Sequence, residues 1–265
     1  MKFSTNNGFF SADTYVYLNV VFPIPWKIPI NKYSPYETLN RFGNHLGSLD
    51  LGIKIKIKIA DIYFYRQTPY EDGQMPEIFL SGDGNYSLSL DLKEKKRVYR
   101  VNIGFLDTRR QAGERSNFAR FVGKMETHPG EIQDYLNHGQ YIEGWSYHNN
   151  AIGTPLIIPT QDLIKESQPK GYNLFTADNR IQAFYMSIFG KIANYVYYLQ
   201  SSYTSSLGRF GLKKDIPFKQ FSSHISINIP IKKSNLDSKI DLSFDSGKLY
   251  GNNLGVNFFI IKKWN

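Results

Sequence analysis

The richest collection of groups able to do chemistry lies in one stretch, YLNHGQYIEGWSYHNN (135–150). It holds Asn137, His138, Gln140, Tyr141, Glu143, Trp145, Tyr147 and His148. A sugar offers arrays of hydroxyls and flat C–H faces. Amide and carboxylate side chains suit the hydroxyls, and aromatic rings suit the faces. The stretch carries both kinds of group within a few residues, as a glycan-contacting loop would. The same residues also suit a loop that folds inward and packs through its own hydrogen bonds. Loops on a rigid scaffold are where binding concentrates, which makes the stretch a binding candidate.

A second group is cationic. In IKIKIKI (53–59), Lys54, Lys56 and Lys58 alternate with isoleucine, so all three point to one side of an extended chain. With Arg66 and Arg100 they form a candidate basic lining. It reads either as a track for an acidic polysaccharide or as a solvated polar face balanced by Asp on neighbouring strands. Arg109, Arg110, Arg115 and Arg120 lie further along, in a position to meet lipopolysaccharide phosphates or an anionic glycan. In YRQTPYEDG (65–73), Glu71 and Asp72 are a carboxylate pair of the sort a glycosidase uses. Adjacent residues of an extended chain point opposite ways, so these two do not flank one bond, and Asp72-Gly73 is an ordinary turn. Arg66 is expected to pair with a carboxylate of the same polar face.

Several chemistries lack their residues. The chain has no Cys, and its five His show no metal-ligand spacing. Gly82-Asp83-Gly84 lacks the third glycine and following helix of a phosphate loop and reads as a turn. No GxSxG, Walker or zinc motif occurs. The expectation is therefore a non-enzyme with no cofactor and no metal. The net charge of +9 favours anionic partners. No arginine-rich run or nucleic-acid module accompanies it, so nucleic acid is not expected. No run of eighteen apolar residues exists to make a membrane-spanning helix. MKFSTNNGFF lacks the apolar core of a signal peptide, which suits a cytosolic protein or one whose secretion signal lies outside this sequence.

The elements that must position these groups are strands. About ten segments read as strands from alternation and turn punctuation: 9–22, 46–57, 60–69, 85–93, 97–108, 180–190, 195–207, 219–231, 238–246 and 253–263. Their faces are clean. Leu88, Leu90 and Leu92 alternate with Ser87, Ser89 and Asp91, and Ile240, Leu242 and Phe244 with Asp241, Ser243 and Asp245. Several segments exceed the five to six residues usual in soluble sheets and reach the nine to eleven that a tilted strand needs to cross a bilayer. Short connections near 58–60, 94–96, 191–194 and 233–237 alternate with longer ones at 23–45, 70–84, 109–179 and 208–218, and the last, 247–252, is short. Such alternation is typical of outer-membrane barrels. Ten strands would bring both termini to the short-turn side. Residues 161–170 suit a short helix inside the long loop.

Three segments resemble a known family: NHLGSLDLG (44–52), YRQTPYEDG (65–73) and YLNHGQYIEGWSYHNNAIGTPLI (135–157). The strand pair at 179–208 adds to the likeness, which runs from about residue 9 to the end. They are similar to the Bacteroidetes branch of the capsule-assembly Wzi-like outer-membrane barrel proteins, whose members are longer, with further strands upstream. The resemblance implies an all-β, antiparallel, up-and-down transmembrane β-barrel of about ten strands here, as part of a larger barrel or alone. Residues 1–265 then form one domain with a long loop at about 109–179. It also implies a place in the outer membrane of the cell envelope and a lectin-like, non-catalytic role in binding or organising capsular polysaccharide, with outer-membrane lipid and lipopolysaccharide as neighbours. Two other readings stay open: an outer-membrane channel with a basic lumen, and a soluble β-sandwich enzyme with two carboxylates in a cleft.

Overall fold

Alternating side chains build strands here, and nearly every segment expected from that period is one. The structure is a computed structural model that describes residues 14–21, 46–71, 82–111, 134–137, 143–171, 173–209, 211–231 and 236–262. The strands are β1 (Leu46–Lys56), β2 (Ala60–Glu71), β3 (Gly84–Leu92), β4 (Val98–Asp107), β5 (Ser146–Tyr147), β6 (Asn150–Ala151), β7 (Ile181–Ile192), β8 (Tyr195–Arg209), β9 (Leu212–Ile231), β10 (Leu236–Gly247) and β11 (Asn253–Lys262). Nine of them form one sheet in the order β1-β2-β3-β4-β7-β8-β9-β10-β11. Every neighbouring pair is antiparallel. The fold is all-β in its main body, and β5 and β6 make a small separate hairpin.

Three expectations need correction. The segment at 9–22 is not a strand: Thr14–Val21 is a short helix, α1. Its YVYLNVV run is rich in β-formers, and propensity is only a weak prior for so short a segment. The connection expected at 208–218 is mostly strand. β9 runs for 20 residues from Leu212, so β8 and β9 meet in a tight turn at Gly211. Pro217 lies inside this strand. It sits where the ladder to β8 shifts register and before β10 begins to pair at Gln220, the kind of position where a strand tolerates proline. Finally, the sheet is open. Among the described residues β1 pairs only with β2 and β11 only with β10. With nine alternating strands instead of ten, β1 enters from the long-connection end and β11 leaves at the short-turn end.

The two faces differ. On one side stand Leu51, Ile53, Phe64, Ile103, Phe184, Leu242, Phe258 and their neighbours, running from β1 to β11. Ile53 is 64% exposed, Phe184 60% and Phe258 62%, so among the described residues no second layer covers this side. The other side is polar and falls into rows of cross-strand partners. One row is Tyr63, Ser89, Asn102, Ser187 and Gln200; the next is Tyr65, Ser87, Gly104, Tyr185 and Ser202; the next is Gln67, Asn85, Leu106, Ala183 and Thr204.

Buried apolar side chains gather where the strands end at the long-connection side. One cluster joins Leu106, Ile181 and Ala183 to Tyr135, Leu136 and Ile157 of the β4–β7 connection, with Trp145 and Phe175 packed against it. A second joins Ile158, Leu163 and Ala177 to Leu249, with Phe218 and Tyr250. Each fully buried Ile or Leu contributes about 1.5–3 kcal/mol, so these clusters hold the connection down against the polar face. Within the connection, the helix expected at 161–170 is two 3₁₀ turns, Thr160–Asp162 and Lys165–Ser167.

Candidate functional site

Buried hydrogen bonds hold the long connection together. Asn137 and Thr176 bond reciprocally: the Asn137 amide donates to the Thr176 carbonyl at 2.7 Å, and the Thr176 N–H donates to the Asn137 Oδ1 at 2.9 Å. The Asn179 amide donates to Asp134 at 2.7 Å and to the Tyr135 carbonyl at 2.8 Å. The Trp145 N–H donates to the Leu136 carbonyl at 2.9 Å. Gly144 sits just before it at φ +55°, and a Cβ there would collide with that same carbonyl. No other residue fits so close an approach in the left-handed region.

Asp83 anchors the start of the connection. Its carboxylate is fully buried and accepts from the backbone N–H groups of Arg110 (3.0 Å) and Gln111 (2.5 Å) and from the Tyr135 hydroxyl (3.1 Å). Burial pushes its pKa up to about 6, against the lowering effect of those hydrogen bonds. The turn read at Gly82-Asp83-Gly84 therefore has a second task that its sequence does not announce.

Between this connection and the polar face lies a cavity of about 700 Å³. Its floor is made by β1, β2, β3, β4, β7 and β8, with Ser87, Ser89, Asn102 and Gln200 among the groups that line it. Its cover is the segment around Leu136, Trp145 and Pro155. The floor is pre-organised. The Asn102 amide donates to the Ser187 hydroxyl at 2.9 Å, and the Tyr185 hydroxyl donates to Asn85 Oδ1 at 2.7 Å. The Tyr185 ring lies directly over Gly104 of the neighbouring strand, where any Cβ would displace it. Trp145 presents a ring to the cavity, and its indole N–H is buried with no hydrogen-bond partner among the described residues. A cavity of this size lies in the range of small-ligand sites.

The sequence-derived loop candidates separate. Trp145 lines the cavity. Asn137 is 3% exposed and spends its amide on Thr176, so it holds the loop and does not face the cavity. Tyr147 and His148 lie at the tip of the β5–β6 hairpin, whose turn residues His148 and Asn149 both have positive φ; Tyr147 is 71% exposed there, edge-on to the His148 ring. Glu143 is exposed at the surface. His138, Gln140 and Tyr141 lie outside the described residues.

The basic candidates also separate. Lys54 and Lys56 stand on the polar face, near the short turns, and Lys54 pairs with Asp61 at 3.3 Å. Arg100 pairs with Asp91 at 3.0 Å on the same face. Lys58 is in the β1–β2 turn, because β1 ends at Lys56. Arg66 corrects an expectation. It alternates with Gln67 and falls on the apolar side, opposite Leu51 and Tyr86, with its guanidinium 5.4 Å from the Tyr86 ring centre. Arg109 is held by Asp107 at 2.7 Å; Arg115, Arg120 and Asp72 lie outside the described residues.

The residues that build the cavity floor were legible only as a polar strand face. Alternation puts Ser87, Ser89 and Asn102 on one side, but says nothing about what lies over them. Fold and site together define an all-β antiparallel protein with a cavity on the polar side of an open sheet, uncharged among the described residues that line it. Comparison with protein-family models, with curated proteins and with solved structures gives no match to this chain.

Proposed function

We propose that the nine-stranded sheet is wall of an outer-membrane β-barrel, and that its polar side binds surface polysaccharide of the capsular kind without altering it. The observation that carries the reading is the contrast between the two faces. A soluble sandwich needs a second layer over its apolar side. Here no described residue covers that side on any of the nine strands, and exposed Ile, Leu and Phe dominate it. Bare apolar strand faces backed by polar ones are what a barrel in lipid requires. The strand lengths, from nine residues in β3 to 20 in β9, suffice for tilted crossing. The likeness to the Wzi-like capsule-assembly barrels supports the same reading.

Barrel closure then requires strands beyond the nine. β1 and β11 run in the same direction, so joining them directly would make one parallel pair. An all-antiparallel wall needs an odd number of further strands between them, which also restores the even total usual in bacterial barrels.

On the polar side, the cavity beneath Trp145 is the binding site and the exposed tip at Tyr147 and His148 is a secondary contact. No carboxylate is among the described residues lining the cavity, which favours binding over glycoside hydrolysis. Lipid and lipopolysaccharide contact the apolar band. The test is extraction: the protein is expected to need detergent and to change gel mobility on heating. A monodisperse protein in plain buffer would overturn the membrane assignment. The channel reading draws less support, since Lys54 and Arg100 are ion-paired and the long connection lies over the polar face. Single-channel conductance would revive it.

A further inference from the structure

We infer that the cavity beneath Trp145 takes an uncharged stretch of glycan and keeps acidic sugar residues outside. The inference rests on the polysaccharide reading above and narrows its substrate class. A chain of net charge +9 invites the opposite conclusion, that its ligand is acidic. The geometry argues otherwise.

None of the described residues lining the cavity is Lys, Arg, His, Asp or Glu. The floor offers hydroxyls and amides alone: Ser87, Ser89, Asn102, Ser187 and Gln200. Such groups both donate and accept, which is the pattern a sugar hydroxyl needs. A carboxylate brought among them would lose its hydration and meet no countercharge, a cost of several kcal/mol. The cations of the polar face do not make up the deficit. Lys54, at the β1 end of the Tyr63 row, and Lys93 are engaged by Asp61, and Arg100 by Asp91.

The second observation is the indole of Trp145. Its ring lines the cavity from the cover, while its N–H is buried away from the open space. An aromatic ring suits the flat C–H face of a sugar and offers no countercharge to a carboxylate. Tyr185, held flat across Gly104, presents a further ring from the floor.

The test uses the full chain in detergent, with heat-dependent gel mobility as the check that it is folded. Neutral and uronic-acid oligosaccharides of matched length, on a glycan array and then by calorimetry, are the ligands. Neutral oligosaccharides are expected to bind with an affinity that does not change between low and high salt, while oligogalacturonides do not bind. Trp145→Ala removes the ring and should weaken the neutral ligand about tenfold. Ser89→Lys should admit oligogalacturonides in a salt-sensitive way. Salt-sensitive binding of acidic oligosaccharides by the unaltered protein, indifferent to Trp145→Ala, would overturn the inference and leave the polysaccharide reading standing. Folded protein that binds neither class would remove both.

Discussion

The two faces of this sheet share one backbone and solve opposite problems. The apolar face is dominated by Ile, Leu and Phe, with Arg66, Ser201 and Ser223 as exceptions. The polar face is sorted. Next to the short turns it is charged, with Asp61 opposite Asp91 and the two offset by Lys54, Lys93 and Arg100. Next to the long connection, from β2 to β8, it is lined by amides and hydroxyls and is covered. A face that meets a featureless medium needs only a composition, whereas a face that holds a cover and a cavity needs each residue in its row.

The contrast can be broken from either side. The largest effect is expected from uncovering the polar face. Gly144→Val places a branched side chain at φ +55° and into the Leu136 carbonyl. Releasing the cover should cost about 3–4 kcal/mol of local stability, read as faster amide exchange at Trp145 and protease cleavage within 134–177. Next come adjacent residues on opposite faces. Ile103→Arg should destabilise the protein in bilayers by about 2–4 kcal/mol, while Asn102→Arg should cost much less. Equal costs, by urea unfolding from lipid vesicles, would mean that Ile103 does not face hydrocarbon.

The cover has a pH dependence of its own. Asp83, raised from 3.8 to about 6, keeps in the docked state a proton that the released state gives up. Docking is therefore tightest at low pH, weakens as pH rises from about 4 to about 6, and is flat above, with a total change on the order of 2–3 kcal/mol. Amide exchange corrected for its intrinsic pH dependence should follow this course, and Asp83→Asn should abolish it. The smallest effect is expected at the charged row. Arg100→Gln breaks a half-exposed ion pair and should change stability by less than about 1 kcal/mol. A larger loss in the same urea titration would mean that this row is shielded from water.

Much of the fold is legible along the chain because a strand's period is local. The sheet strands, their faces and most of their ends follow from alternation at residues such as Ser87 to Leu92. Arg66 shows that parity has to be applied without exception: it shares its side with Ile62 and Phe64, whatever its charge suggests. The helix at Thr14–Val21 and the long β9 escaped, the first because valine and tyrosine are compatible with either state, the second because Pro217 is harmless only where no ladder needs its missing N–H.

The candidate site divides along the same line. That aromatic and amide groups crowd into residues 135–150 is plain from their order in the chain. Which of them reach the cavity is not. Asn137 is consumed by Thr176, Trp145 turns inward and Tyr147 turns out, because a hairpin between Ser146 and Ala151 and a bond to Leu136 orient them. The floor is assembled from six strands, and partners such as Tyr185 and Asn85 lie a hundred residues apart. Periodicity assigns a side chain to a face. Its neighbours across the sheet depend on register, and register is set by turns and pairings that no single segment contains.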